Sequence, residues 1–347
     1  MREVLPPDRD RDRDRDPPVL FEAARGGDRV ALARLLSLVE RGGEQAQEVA
    51  ALSYRTRGDA YSIGITGVPG AGKSTLTDRL VTLGREHGLG PGNQVGVIAV
   101  DPSSPFSGGA ILGDRVRMPG HALDDGVFIR SMAARGHLGG LSVAVPDAIR
   151  VYSAVGMAVV LVETVGVGQQ EVDVAAATDT TLVVVNPGWG DAIQANKAGL
   201  LEIADMFVIN KSDRPDARRT RQDLELMLDL TEPGDWRPPI LDTVATTGEG
   251  VGELWTTIER HRDHLIAHGT LDALRRRRVE REFRQIVVSR VVGQIDEATR
   301  TDRFAPVVSA MLDGDLDPYE AAGRLLAMLP EGQGTGRESG REPRERG

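Results

Sequence analysis

Residues 62–74 read Ser-Ile-Gly-Ile-Thr-Gly-Val-Pro-Gly-Ala-Gly-Lys-Ser, an apolar run that enters a glycine-rich loop and then a helix-forming stretch reaching about His87. The segment from Gly67 to Ser74 matches G-x-x-x-x-G-K-[ST] in the strand–loop–helix context that the motif requires. Glycines let the backbone curl so that its N–H groups face a phosphate, and the helix N-terminus behind them adds positive potential. Lys73 would reach the β- and γ-phosphates, and the Ser74 hydroxyl would ligate Mg²⁺. Gly67, Val68, Pro69, Gly70, Ala71, Gly72 and Thr75 complete the candidate cradle.

Four further apolar runs share the character of the first. Val95–Val100 ends at Asp101, Met157–Val162 at Glu163, Thr181–Val185 at Asn186 and Met206–Ile209 at Asn210. Runs with no polar face read as strands buried on both sides, which predicts a mainly parallel sheet covered by helices. Each run stops at a polar residue at its carboxyl end, where open α/β sheets bind ligands. The expected fold class is therefore α/β, a P-loop NTPase with helical N- and C-terminal extensions.

The chain carries three lysines against 39 arginines, and two of those lysines fall inside nucleotide motifs. Lys73 closes the glycine loop. Lys211 belongs to Asn210-Lys-Ser-Asp213, which matches N-K-x-D. The Asp213 carboxylate can accept from guanine N1 and the 2-amino group together, a donor pair that adenine lacks. Asn210 can brace the loop, and the Lys211 stem can lie along the purine face with its head in water. The two motifs together predict GTP over ATP. Asp101, Asp114 in Leu112-Gly-Asp-Arg115, and Glu163 are the candidate acidic groups; hard carboxylate oxygens suit Mg²⁺ directly or through water.

Organisation follows from texture. Residues 1–18, with Asp-Arg repeats, and 331–347, rich in Gly, Arg and Glu, read as solvated tails. Residues 19–60 show helical spacing and predict one or two short helices covering part of the core. The P-loop domain runs over 61–270. A helical arm follows over 271–330, where Arg275–Arg278 and Val287–Val292 suggest a homodimer contact, with packing against the chain's own core as the alternative. The pattern is helical from Thr256 to about Thr299, and a final helix is expected from about Pro318 to Leu329. The formal charge of −10 argues against nucleic-acid binding. With no cysteine there is no thiolate chemistry. The absence of an apolar signal core or membrane-length run predicts a cytoplasmic protein without a membrane partner.

Taken together, these residues resemble the MeaB/ArgK-type GTPases, chaperones associated with methylmalonyl-CoA mutase. The matching stretches are GVPGAGKST from Gly67, VDPSSPFSGGAILGDRVRM from Val100, VETVGVGQQEVDVA from Val162, PGWGDAIQANKAGLLEIAD from Pro187 and VINKSD from Val208. The resemblance covers about residues 19–330. It implies that Lys73 and Ser74 hold phosphate and metal, that Asp101, Asp114 and Glu163 organise Mg²⁺ and the attacking water, and that Gly166, Gln169 and Gln170 belong to a switch. Asp191 and Lys197 would lie in a further switch that responds to nucleotide and communicates with the mutase. It also implies GTP and GDP as ligands, an adenosylcobalamin-dependent acyl-CoA mutase as partner, and cobalamin met only through that partner. The family's guanine-supporting T-S-A is here Thr243-Val-Ala245, which leaves the Ala245 main-chain N–H to contact guanine O6. Arg130–Gly139 carries Met132 and Ala133, and Trp189 stands in the further switch, as departures from the family pattern.

The implied activity is Mg-dependent hydrolysis of GTP to GDP and phosphate, gating cobalamin loading and protecting the mutase. The alternatives of the same fold are a metallocentre-insertion GTPase, which commonly carries cysteine or histidine ligands, and a small-molecule kinase, which needs an acceptor pocket with a base. A third alternative is a nucleotide-bound scaffold in which hydrolysis is incidental.

Overall fold

The structure is a computed structural model and describes residues 16–89, 92–102, 118–121, 123–134, 144–164, 170–188, 199, 201–230, 234–300 and 305–328. Asp114, Gly166, Gln169, Asp191 and Lys197 lie outside the described residues, as do most of both tails.

The chain opens with helices α1 (Pro17–Arg25), α2 (Arg29–Arg41) and α3 (Glu44–Thr56). Periodicity predicts one or two helices here; there are three, because Gly27, Gly42 and Gly43 take positive φ values of 95°, 78° and 85° and interrupt the helical path. Asp28 starts α2 by accepting the N–H groups of Val30 and Ala31 at 2.8 and 3.1 Å. These helices are more than a partial cover. Leu35 and Leu36 of α2 are fully buried in one cluster with Ile98, Val160 and Val162 of the sheet, each such leucine contributing about 1.5–3 kcal/mol.

Seven strands follow: β1 (Tyr61–Gly67), β2 (Val95–Pro102), β3 (Val127–Ala134), β4 (Val159–Thr164), β5 (Thr180–Val185), β6 (Met206–Asn210) and β7 (Ile240–Thr243). They pair in the order β3-β2-β4-β1-β5-β6-β7, every pairing parallel. Between them run α4 (Lys73–His87), α5 (Ala144–Ala154), α6 (Gln170–Ala177) and α7 (Ala217–Asp229), with α8 (Val251–Ala267) after β7. All residues of β1, β4, β5 and β6 are buried. Their side chains divide by the period of two: Leu161 packs with Leu76, Leu80 and Ile258, while Val160 and Val162 pack with α2 and α5. The carboxyl ends of the strands consequently form one edge of a sheet sealed on both faces.

The helical pattern expected from Thr256 starts earlier, in α8, and breaks at Gly269 with φ 66° before α9 (Thr270–Arg300). Two shorter helices complete the described chain, α10 (Ala305–Leu312) and α11 (Pro318–Met328). The fold divides into two compact units, Met1–Arg278 and Val279–Gly347. Within the first, Arg275 and Arg278 are committed to buried Asp179, at 2.9 and 3.2 Å, so these arginines anchor the root of α9 to its own chain. Within the second, Leu316 and Ala321 are buried, whereas α10 has no buried residue. Among the described residues no helix is long and apolar enough to cross a membrane.

Candidate nucleotide site

Each candidate residue among those described stands at the carboxyl edge of the sheet, in a loop leaving it or in the first turn of the helix that follows. The glycine loop leaves β1, and Val68 N–H donates to Val184 O of β5 at 3.2 Å, fixing where the curl begins. Gly67 has φ 127°, and a Cβ there would sit 2.0 Å from the same Val184 carbonyl. Gly72, with φ 89°, starts α4. Lys73 folds back over the curl, its Nζ donating to the carbonyls of Gly67 and Val68 at 2.8 and 2.9 Å. Its ammonium thus lies within the loop that the backbone forms. Ser74 lies beside it on the first turn of α4, and Thr75 is exposed.

Glu163 of β4 meets this helix start, and Asp101 of β2 stands at the neighbouring strand end. Ile65 of β1 pairs in register with Glu163 of β4, and Ser74 Oγ donates to Glu163 Oε1. Asp101 is the last residue but one of β2, two places beyond Ala99, the residue in register with Glu163. Lys73, Asp101 and Glu163 are 5%, 1% and 3% exposed. Charged groups buried this deeply are unfavourable unless they meet opposite charge, polar partners or a metal. The Ser74 hydroxyl bonded to the Glu163 carboxylate, with the Asp101 carboxylate at the neighbouring strand end, supplies hard oxygens of the kind that suits Mg²⁺. Thr164 Oγ1 also donates to Thr66 Oγ1 at 3.1 Å, linking the ends of β4 and β1 below the site.

On the other side of β1, Asn210 ends β6. Its Nδ2 donates to Ala71 O at 2.7 Å, while its Oδ1 accepts from Thr243 Oγ1 at 3.2 Å and from Ala245 N at 3.0 Å. One side chain therefore ties the glycine loop to the turn after β7. Lys211 adopts φ 62° and donates from Nζ to Gly70 O at 2.6 Å, placing its stem over the loop. Asp213 is exposed two residues beyond it. The Ala245 N–H, expected to meet guanine O6, is donated to Asn210 because the turn after the short β7 brings residues 243–245 directly beneath that side chain. Gln170 is the first residue of α6.

One contributor has no local signal in the sequence, and a second is legible only through the family's guanine-supporting stretch. Arg79, on α4, donates from Nε to Ala245 O at 3.0 Å and from Nη2 to Thr246 O at 2.8 Å, across 166 and 167 residues. Thr243 is the hydroxyl partner of Asn210 across 33 residues. The N-K-x-D motif and the Thr243-Val-Ala245 stretch point to the second loop; nothing in α4 singles out its arginine.

Comparison with known proteins places this geometry. The family model described as methylmalonyl-CoA mutase-associated GTPase MeaB matches residues 32–300. A putative GTPase of Pyrococcus abyssi is 49% identical over 311 residues, 88% of this chain and 95% of the relative. The GTPase ArgK of Escherichia coli is 35% identical over 291 residues, 81% of this chain and 86% of the relative. A crystal structure described as an LAO/AO transport system kinase superposes with a TM-score of 0.66 at 27% identity, covering 90% of this chain and 96% of that one.

Proposed function

The chain belongs to the MeaB family of GTPases, and on that premise we propose that its hydrolysis of GTP serves an adenosylcobalamin-dependent acyl-CoA mutase, gating cofactor loading and protecting that enzyme. The chain is a P-loop GTPase. The observation that supports the site assignment is the Ser74–Glu163 hydrogen bond beside a buried Lys73 folded over the glycine loop, with Asn210 tying that loop to the turn after β7.

Phosphoryl transfer asks little covalent chemistry of a protein; positioning and neutralisation of charge dominate. Lys73 would hold the β- and γ-phosphates, with the curled main chain around them. Ser74, Asp101 and Glu163, with Asp114, would hold Mg²⁺, which when bound supplies positive charge against the phosphate oxygens. Asp213 would accept from guanine N1 and its 2-amino group, and the Lys211 stem would cover the purine. The loop containing Gly166 and Gln169, which precedes α6, would position water, and Asp191 and Lys197 would report the nucleotide state to the partner. The mutase association is carried by the family's description, and cobalamin would be met only through that partner.

The arm supports a homodimer. Val279, Phe283, Ile286 and Val287 lie at helical spacing on α9 and are exposed, Phe283 by 68%, as one face of a helix awaiting a second copy would be. A pulldown with the mutase tests the partnership. The account expects different retention with GDP and with a non-hydrolysable GTP analogue; equal retention in both states is the outcome that sinks the switch.

A further inference from the structure

We infer that Arg79 is a specificity-determining positioning residue, setting the base loop so that it reads the 6-oxo edge of guanine. The inference rests on the reading of this cleft as the guanine-nucleotide site. Arg79 lies on the helix whose first turn carries Lys73 and Ser74. Its fork takes two successive carbonyls, Ala245 O at 3.0 Å and Thr246 O at 2.8 Å. A planar guanidinium that holds two adjacent carbonyls fixes both peptide planes, which a flexible ammonium does less well.

The consequence follows from peptide geometry. In a trans peptide the N–H points opposite the carbonyl. With the Ala245 carbonyl drawn toward α4, the Thr246 N–H turns away from α4. Its neighbours are already used: the Ala245 N–H donates to Asn210 Oδ1 at 3.0 Å, and the Thr247 N–H to Val244 O at 3.1 Å. Thr246 N–H is thus the main-chain donor of this turn available to an acceptor such as purine O6. The remaining ties of the turn, Val244 N–H to Glu249 O at 3.0 Å and Gly248 N–H to Val244 O at 2.9 Å, close its far end and leave the peptide between Ala245 and Thr246 to Arg79. The same fork couples base to phosphate, since any shift of α4 carries the donor with it.

The test uses the full chain with Mg²⁺ and calorimetric binding of three diphosphates. GDP carries both edge groups, inosine diphosphate keeps the 6-oxo and lacks the 2-amino group, and the 2-aminopurine riboside diphosphate keeps the amino group and lacks the 6-oxo. Arg79→Ala should weaken GDP and inosine diphosphate about tenfold, which is about 1.4 kcal/mol, and change the 2-aminopurine nucleotide by less than about twofold. Arg79→Lys, which keeps the charge and loses the fork, should behave like the alanine variant. Arg79 is exposed, so truncation leaves the core intact. Equal weakening of all three nucleotides overturns the inference, because it would mean general slackening of the cleft; so does full recovery by lysine. If the unaltered chain binds none of the three, the nucleotide-site reading itself fails, a result distinct from any effect of Arg79.

Discussion

Gly70 and Gly72 provide a matched pair of perturbations. Both take positive φ, 74° and 89°, so an alanine at either position incurs about 1–2 kcal/mol of left-handed backbone strain. They differ in what the new methyl meets. At Gly70 nothing lies within 4 Å, whereas at Gly72 the Cβ would stand 2.5 Å from Asn210 Nδ2. Asn210 has no easy retreat: it is buried and held by bonds of 2.7, 3.2 and 3.0 Å to Ala71, Thr243 and Ala245. Displacing it leaves buried polar groups unpaired, which costs a further ~1–3 kcal/mol. Gly72→Ala should therefore be less stable than Gly70→Ala by about 1–3 kcal/mol in urea denaturation. Gly72→Ala should also lose GDP affinity, by about tenfold or more, because its strain is relieved by detaching the turn after β7 from the glycine loop. Equal stability of the two variants, or an unchanged GDP affinity in Gly72→Ala, would refute the coupling of the two loops through Asn210.

Three other outcomes are open to measurement. Asp179 is buried, which would raise its pKa, but the Arg275 hydrogen bond and the charges of Arg278 and Arg275 outweigh burial and hold it below the usual carboxylate value. A carboxylate lower in the folded than in the unfolded chain stabilises above its unfolded pKa of about 3.9 and loses that contribution as pH falls through the folded value. Thermal melting should accordingly drop on acidification below about pH 4, and Asp179→Asn should flatten that acid limb while losing about 3 kcal/mol near pH 7. Phe283→Asp combined with Val287→Asp should convert a dimer to a monomer in light scattering without altering GDP affinity; an unaltered chain that is already monomeric contradicts the arm's role. Lys197→Ala should leave GTP binding intact and weaken mutase-stimulated hydrolysis, read by comparing turnover with and without partner.

The parts of the fold that depend on uniform burial were legible in the sequence. β1, β2, β4, β5 and β6 are runs of Val, Ile and Leu because both faces of a central parallel strand are covered, and each was expected within two residues of its bounds. β3 and β7 gave no such run. β3 lies at the sheet edge and carries Arg130 and Ser131 in its middle, with Arg130 reaching Glu40 of α2 at 2.9 Å. β7 is four residues long with exposed Asp242. Apolar patterning detects burial, and both edge strands are only partly buried. The site divides similarly. The proposed phosphate contacts lie in one contiguous loop and can be read as a motif. The bracing of the base turn comes from Asn210 and Arg79 across 35 and 166 residues, and no spacing rule reports such partners.

The central claim is that this GTPase answers to an acyl-CoA mutase through its switches. The most direct measurement is the single-turnover rate of GTP hydrolysis by the full chain, alone and with a saturating adenosylcobalamin-dependent mutase, beside Lys73→Ala. The account predicts slow intrinsic hydrolysis, an acceleration of about tenfold or more when the partner orders the switches, and loss of both rates in Lys73→Ala. A rate that no such mutase changes would contradict the proposed partnership, and hydrolysis that survives Lys73→Ala would contradict the site.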